Sequence, residues 1–412
     1  MNKYTVYHGE YTLNHWIKLL LNKEIELPNY QRSFVWSEEN TKSLIKSFQE
    51  EVFVPPVIIG AYQYEGVWHN YILDGQQRLT SILLCYLNIF PKKDNFPPIS
   101  IPKLADDNDD APEEEENTFL EWNINTLLKN KIGKLRPSEE LKTILFPNGE
   151  ETSYSILFKD ARPNTAFFEH TFLGFSFITP NKLAESMRKE QTKYFAKLFR
   201  SINTSGRVLN NQESRRALYW LKEDLAAYFE PEWNKNLLIS KGQVDMVRYL
   251  ALLSERAKLN LHHETKPVAQ GFGSKTGPKS MEAYLESYIY HIVNEENGRF
   301  LSLKEMGETT KIFSRLNTVN SLTEELNIPS PFPSIIDADY WLFGLIYYTL
   351  FKPENLKRID KTALADKIKH EIEISKQDEK EKKRPSALKY INKRLNASLT
   401  IYQEAIESAY EK

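Results

Sequence analysis

Apolar residues recur at helical spacing behind Thr12, where Leu13, Trp16, Ile17, Leu20 and Leu21 share one face and the threonine stands where it can cap the first turn. Pro28 ends that pattern, and the segment Leu27-Pro28-Asn29-Tyr30-Gln31-Arg32 is expected to be extended or turning. Ser37 precedes a second amphipathic stretch with Leu44, Ile45 and Phe48 on one face, which Pro55-Pro56 stops. Residues 57–62 and 67–73 are rich in β-branched and aromatic types around Glu65-Gly66, and this predicts a hairpin. The second strand runs directly into Asp74-Gly75. Beyond it Leu79, Ile82, Leu83, Tyr86 and Leu87 mark another amphipathic helix.

Further along, residues 105–117 are nearly all acidic and predict a solvated loop inserted into the N-terminal half. A calcium loop fits poorly there, because Ala111 stands where an EF-hand needs glycine and Asn117 where it needs glutamate. Residues 154–158 and 172–178 are the next strand candidates. After about residue 182 the periodicity turns helical and stays so, over 183–202, 212–228, 244–257 and 281–293. The longest apolar stretch, residues 340–351, is about half of what a bilayer requires and predicts a buried helix. The pattern therefore predicts an α+β domain over 1–230 and an all-helical domain over 231–412.

Composition narrows this picture without changing it. Hydrophobic residues make up 41% and charged residues 27% of the 412, as in ordinary globular proteins. Lys plus Arg number 54 against 56 Asp plus Glu, a net charge of −2, so contact with nucleic acid requires a local basic patch. A single cysteine, Cys85, leaves no internal disulfide and no thiolate zinc site, which points to a reducing cytoplasm. The first residues lack the apolar core of a signal peptide.

The strongest local chemistry lies at Asp74-Gly75-Gln76-Gln77-Arg78. Gly75 permits a tight turn at the strand's end and close approach of another group to the backbone. The following helix offers uncapped N–H groups and the positive end of its dipole to a phosphate. Arg78, in the first turn, could clasp phosphate oxygens. A free aspartate is ionised near neutral pH, so a carboxylate at Asp74 could hold a metal such as Mg²⁺, orient water or accept from a sugar hydroxyl. The plainer alternative is a capped helix closed by an Asp–Arg salt bridge. Tyr30-Gln31-Arg32 is a second polar cluster, suited to stacking on a base and gripping phosphate, or else a surface turn over packed aromatics. Asn203, Thr204 and Ser205 cluster donors at a third point, before Gly206, where a capped helix end explains most of the residue types.

Taken together and in order, Leu27 to Trp36, Ile72 to Thr80, and Phe199 to Gly206 with Leu209 and Glu213 resemble the N-terminal domain of the GmrSD-type restriction endonucleases. The segment Val244 to Leu252 resembles the helical region that usually follows, so the likeness covers roughly residues 10–295. The resemblance implies a ParB/sulfiredoxin-like fold, nucleotide binding and hydrolysis at the Asp-Gly-Gln-Gln-Arg loop, and service in defence against phage or modified DNA. It implies catalytic roles for Asp74, Gln76 and Arg78, with Gly75, Gln77, Tyr30, Gln31, Arg32 and Asn203 around the nucleotide. Two departures stand out. Many relatives carry a C-terminal HNH-type nuclease, whose paired histidines are missing from the last 120 residues. Sulfiredoxins place a reactive cysteine in the phosphate loop, and this loop has none.

Other patterns carry less. Residues 271–277 are glycine-rich, yet no Gly-Lys-Ser/Thr stands at P-loop spacing, so a connection between helices is expected. His262-His263 are adjacent and point about 100° apart on a helix, which suits the surface better than one shared ion. Lys382, Lys383, Arg384, Lys389 and Lys393 form the most basic segment, either a solvated helix face or a contact for DNA phosphate. The function expected from all this is a nucleotide-binding, NTP-hydrolysing subunit of a bacterial DNA-restriction system that works with DNA, Mg²⁺ and a partner nuclease and stays off membranes. A non-catalytic DNA-binding module and a direct nickase using the same loop are the alternatives.

Overall fold

The computed structural model describes residues 4–28, 31, 33–64, 67–96, 98–100, 118–120, 122–129, 134–160, 162–180, 198, 215–216, 218–219, 223–240, 242–273, 280–294 and 298–410. These fall into two compact units, one within residues 4–216 and the other within 218–410. The acidic insertion, the Asn203 cluster, Tyr30 and Arg32 lie outside the described residues.

In the first unit, strand β1 (Tyr4–Thr12) leads into helix α1 (Leu13–Leu21). Thr12 caps it by accepting from the His15 N–H at 3.2 Å. Helix α2 (Glu38–Gln49) opens on a capping box in which Ser37 and Asn40 satisfy each other's backbone N–H groups. The expected hairpin is present as β2 (Val57–Tyr64) antiparallel to β3 (Val67–Asp74), and α3 (Gln76–Leu87) follows directly. Short strands β4 (Ile89–Pro91), β5 (Pro98–Ser100), β6 (Thr118–Leu120) and β7 (Tyr154–Ile156) pair as β4 with β7 and β5 with β6, with helices α4 (Ile124–Leu127) and α5 (Ser138–Leu145) between them. Helix α6 (Thr165–His170) and strand β8 (Phe172–Pro180) complete the unit.

The main sheet has the order β1-β8-β2-β3, with β2 parallel to β8 and the other pairs antiparallel. Its first strand was not legible as one: β1 is largely exposed and pairs with β8 some 160 positions away. One apolar core joins Leu13, Trp16 and Ile17 of α1, Leu44 and Ile45 of α2, and Leu79, Ile82 and Leu83 of α3. Trp16 also fastens α1 to the sheet by donating its ring N–H to the Leu173 carbonyl at 3.1 Å. Cys85, in α3, is fully buried, and burial pushes its thiol up to about 12.

The second unit is helical apart from a two-residue ribbon, β9 (Leu238–Ile239) with β10 (Gly242–Gln243), which departs from the all-helical expectation. Its helices are α7 (Glu223–Phe229), α8 (Met246–Leu261), α9 (Met281–Asn294), α10 (Leu303–Met306), α11 (Thr309–Glu325), α12 (Ile335–Ile346), α13 (Lys361–Gln377), α14 (Glu379–Lys383) and α15 (Leu388–Tyr410). Every residue of α12 is buried, so the apolar stretch becomes the unit's central helix and runs on into a π-helical turn, Tyr347–Phe351. Gly344 lets α15 approach closely: a Cβ there would stand 2.1 Å from Cδ2 of Tyr402. The backbone N–H of Gly344 donates to the Ser398 hydroxyl at 2.8 Å, and Tyr402 donates to the Trp341 carbonyl at 3.0 Å.

A buried ionic lattice ties four of these helices. Arg248 of α8 holds Asp339 of α12 through two bonds of 2.6 and 2.9 Å, and Tyr249 adds a third at 2.8 Å. Arg394 of α15 reaches both Asp339 and Glu381 of α14 at 2.9 Å. Burial alone would raise the Asp339 carboxyl, but the two guanidinium groups outweigh it and hold the acid below its ordinary value. Among the described residues, no helix is long and apolar enough to cross a membrane.

Candidate functional site

Strand β3 ends at Asp74, and the chain turns through Gly75 with φ +94° and ψ +9°. Both the backbone and the space require glycine. That φ is left-handed, and a Cβ would lie 2.4 Å from Cγ1 of Val57 in β2. Helix α3 starts at once with no side-chain cap, so its first turn opens toward Asp74. Every residue of α3 except Arg78 is buried, Gln76 included. The helix start is therefore anchored in the core and faces outward only at the turn.

Arg78 is 11% exposed and acts as a strut. Its Nη2 donates to Oδ2 of Asp74 at 2.5 Å, while Nη1 donates to the carbonyl oxygens of Pro55 and, at 3.4 Å, Pro56. These prolines lead into β2, so one guanidinium fixes both the carboxylate and the segment beside the turn. Asp74 stays 38% exposed and is the charge the turn presents to solvent.

The two glutamines stitch the Asp74 turn to the segment around Tyr30. Gln31 donates its amide N–H to the carbonyls of Ile72 and, at 3.5 Å, Leu73. Gln77 accepts from the Val35 N–H at 2.9 Å and the Trp36 N–H at 3.3 Å, and donates to the Ser33 carbonyl at 3.3 Å. Each motif thus binds the backbone of the other, and both glutamine amides face protein. The structure brings together Asp74, Gly75, Gln76, Gln77, Arg78 and Gln31. Tyr30, Arg32 and Asn203 are outside what it describes.

The basic candidates belong to the second unit. Lys382, Lys383, Arg384 and Lys389 are exposed, whereas Lys393 turns in to Glu381 at 2.8 Å. No group of three or more His, Cys, Asp or Glu that could hold a metal occurs among the described residues.

One feature of the first unit has no counterpart in the sequence pattern. A cleft of about 610 Å³ is lined by His8, Glu10, Phe53, Pro56, His170 and Ser176, among others. Imidazole Nδ1 of His8 lies 3.0 Å from the Ser176 hydroxyl. Pro56 belongs both to this cleft and to the contacts of Arg78, so the strut of the turn also braces the cleft wall. Its residues are scattered from position 8 to position 176, so no local pattern in the sequence brings them together.

Residues 17–220 match the family described as "GmrSD restriction endonuclease, N-terminal domain". The chain is also 31% identical over 120 residues to an uncharacterized protein of Methanocaldococcus jannaschii, a match covering 23% of this chain and 21% of that protein. It thus spans about a fifth of that relative's length. No solved structure matches it. The match to the family takes in the capped helix α2, the hairpin, the Asp74–Arg78 turn and the segment stitched to it. Through residues 17–220, this chain belongs to the GmrSD restriction endonuclease N-terminal domain family.

Proposed function

We propose that this chain is a nucleotide-hydrolysing subunit of a DNA-restriction system, with the turn at residues 74–78 as its phosphate site. The observation that carries the reading is the left-handed Gly75 turn, which leaves the uncapped start of α3 beside a half-exposed carboxylate. Backbone N–H groups and the helix dipole there suit phosphate oxygens. In this reading Asp74 orients the attacking water or holds Mg²⁺. A lone carboxylate is enough for that ion, which is commonly held by one or two carboxylates together with substrate phosphates. Gln76 closes the first turn, while Arg78 keeps the Asp74 carboxylate aimed and offsets its charge. Gln31 and Gln77 hold the segment at residues 33–36 in register beside the turn. Phosphoryl transfer asks mainly for positioning and charge stabilisation, which this set supplies. A mixed sheet feeding a strand–turn–helix phosphate loop is in keeping with a ParB/sulfiredoxin-like fold. Cutting of DNA would then fall to a partner nuclease.

Single-turnover hydrolysis and equilibrium nucleotide binding, measured on one preparation with Mg²⁺, test the assignment. Asp74→Asn keeps the shape of the turn and removes its charge. It should slow hydrolysis by at least about a hundredfold, roughly 2.7 kcal/mol of barrier, with affinity held within about tenfold. If the pair merely closes the helix, asparagine serves nearly as well and neither quantity moves. That result would remove Asp74 from the chemistry.

A further inference from the structure

In the sequence, the segment Asp378-Glu379-Lys380-Glu381-Lys382-Lys383-Arg384 mixes three acids with four cations and is only weakly basic, as a solvated helix face would be. Folding sorts these charges. Asp378 turns its carboxylate onto the backbone N–H groups of Lys380 and Glu381, at 2.9 and 3.2 Å, to cap α14. Glu381 is withdrawn completely from solvent, where Arg394 binds it at 2.9 Å and Lys393 at 2.8 Å. Lys380, Lys382, Lys383 and Arg384 remain outside, joined by Lys389 from the first turn of α15. Among the described residues, none of Lys380, Lys382, Lys383 and Arg384 has an ion-pair partner, and the Lys389 ammonium rests 4.3 Å from the Tyr390 ring. Several other lysines of this unit are neutralised, Lys311 by Glu308, Lys357 by Glu325, Lys367 by Glu404 and Lys376 by Asp337, at 2.7 to 3.1 Å, while Lys361 and Lys369 have no ion-pair partner among the described residues.

Withdrawing a carboxylate from water is costly unless its charge and lone pairs are met, and here two cations meet them. The outcome is a predominantly cationic surface turn on a chain whose net charge is −2. Five cations within ten residues, with Glu379 the one exposed acid among them, suit a row of regularly spaced anions better than a single ligand. We propose that the α14 turn and the start of α15 form a binding surface for the phosphodiester backbone of duplex DNA. Arg384 and the lysines contact phosphate oxygens without reading bases, so the grip is sequence-independent and sensitive to salt. This surface lies in the second unit and stands apart from the reading of the Asp74 turn.

Binding of a fluorescent 30-base-pair duplex, titrated at several salt concentrations, tests it on the full chain. The triple variant Lys382→Ala, Lys383→Ala, Arg384→Ala should bind at least tenfold more weakly near 100 mM salt. Its slope of log K against log salt should be shallower by about 2 to 3, close to 0.9 for each phosphate no longer neutralised. Nucleotide hydrolysis should match the parent, so a chain without hydrolysis leaves this outcome unaffected. If the triple variant melts early, Lys382→Gln with Lys383→Gln keeps the helix and should reduce the slope by about 2. A control lacking two other exposed lysines, Lys361→Ala with Lys369→Ala, should bind DNA as the parent does. Unchanged affinity and slope in the triple variant would overturn the proposal, as would an equal loss in the control. Binding to phosphatidylserine vesicles in place of DNA, abolished by the same triple variant, would overturn it too.

Discussion

Adding one methyl group at Gly75 sets two demands against each other. The φ of +94° disfavours any Cβ, and the new atom would stand 2.4 Å from Cγ1 of Val57. Gly75→Ala should therefore cost roughly 1–3 kcal/mol of stability from strain and overpacking. In a double-mutant cycle followed by thermal melting, Val57→Ala should recover the steric part and leave the backbone part behind. Simple additivity would mean that Val57 is not the clash. Arg78 offers a second test at this scale. Alanine there removes the donors to Asp74 and to both prolyl carbonyls, so it should lower the melting temperature and weaken nucleotide binding by about 1.5–3 kcal/mol. Binding held within twofold in a folded variant would move the pocket away from this turn. The motif was legible in the sequence because glycine, aspartate and arginine act within one turn. The roles of Gln31 and Gln77 were not, because the carbonyls and N–H groups they bind lie about forty positions away.

At the scale of elements, caps and periodicities translated directly where the residues are described, whereas most of the helix expected over 183–202 lies outside them. Thr12, Ser37 and the hairpin at residues 57–74 are governed by local rules, and the structure follows them. Pairing of β1 with β8 is long-range and left no local mark. The helical half hid its own logic as well, since Glu381, in a stretch that reads as a solvated helix face, joins Arg248, Asp339 and Arg394 in holding the unit from inside. Removing one member leaves the others buried and uncompensated. Asp339→Asn should thus destabilise the second unit by about 3–5 kcal/mol. The lattice also predicts a pH dependence. Because the folded Asp339 carboxyl sits below its ordinary value, its contribution is complete above that ordinary value, near 3.8. It is lost as pH falls through the lower, folded value. Acid titration of helical signal should show Asp339→Asn losing less stability than the parent over that window. Close packing makes a third demand: Gly344→Ala forces a carbon into the Tyr402 ring and should part α12 from α15, lowering the melting temperature by several degrees.

Across the whole molecule, the described residues divide near position 217, whereas composition and proline placement suggested residue 230. No compositional break marks that division, because the helical periodicity expected over 212–228 runs through it. One atom offers a way to watch the first unit on its own. The Cys85 sulfur has no solvent contact, and its thiol is pushed up to about 12, so at pH 7.5 it is both unreachable and almost wholly protonated. An alkylating reagent should leave the native chain unmodified over hours and label it once, promptly, in denaturant. With a thiol-selective reagent, whatever slow labelling does occur in native buffer then counts how often α3 and its surroundings open, since Cys85 is the sole thiol of the sequence. A nucleotide seated at the Asp74 turn, about three helical turns ahead of that buried sulfur on the same helix, should slow the reaction in proportion to its hold. A single mass measurement over time would serve as a stopwatch for ligand binding, with no dye, tag or activity required.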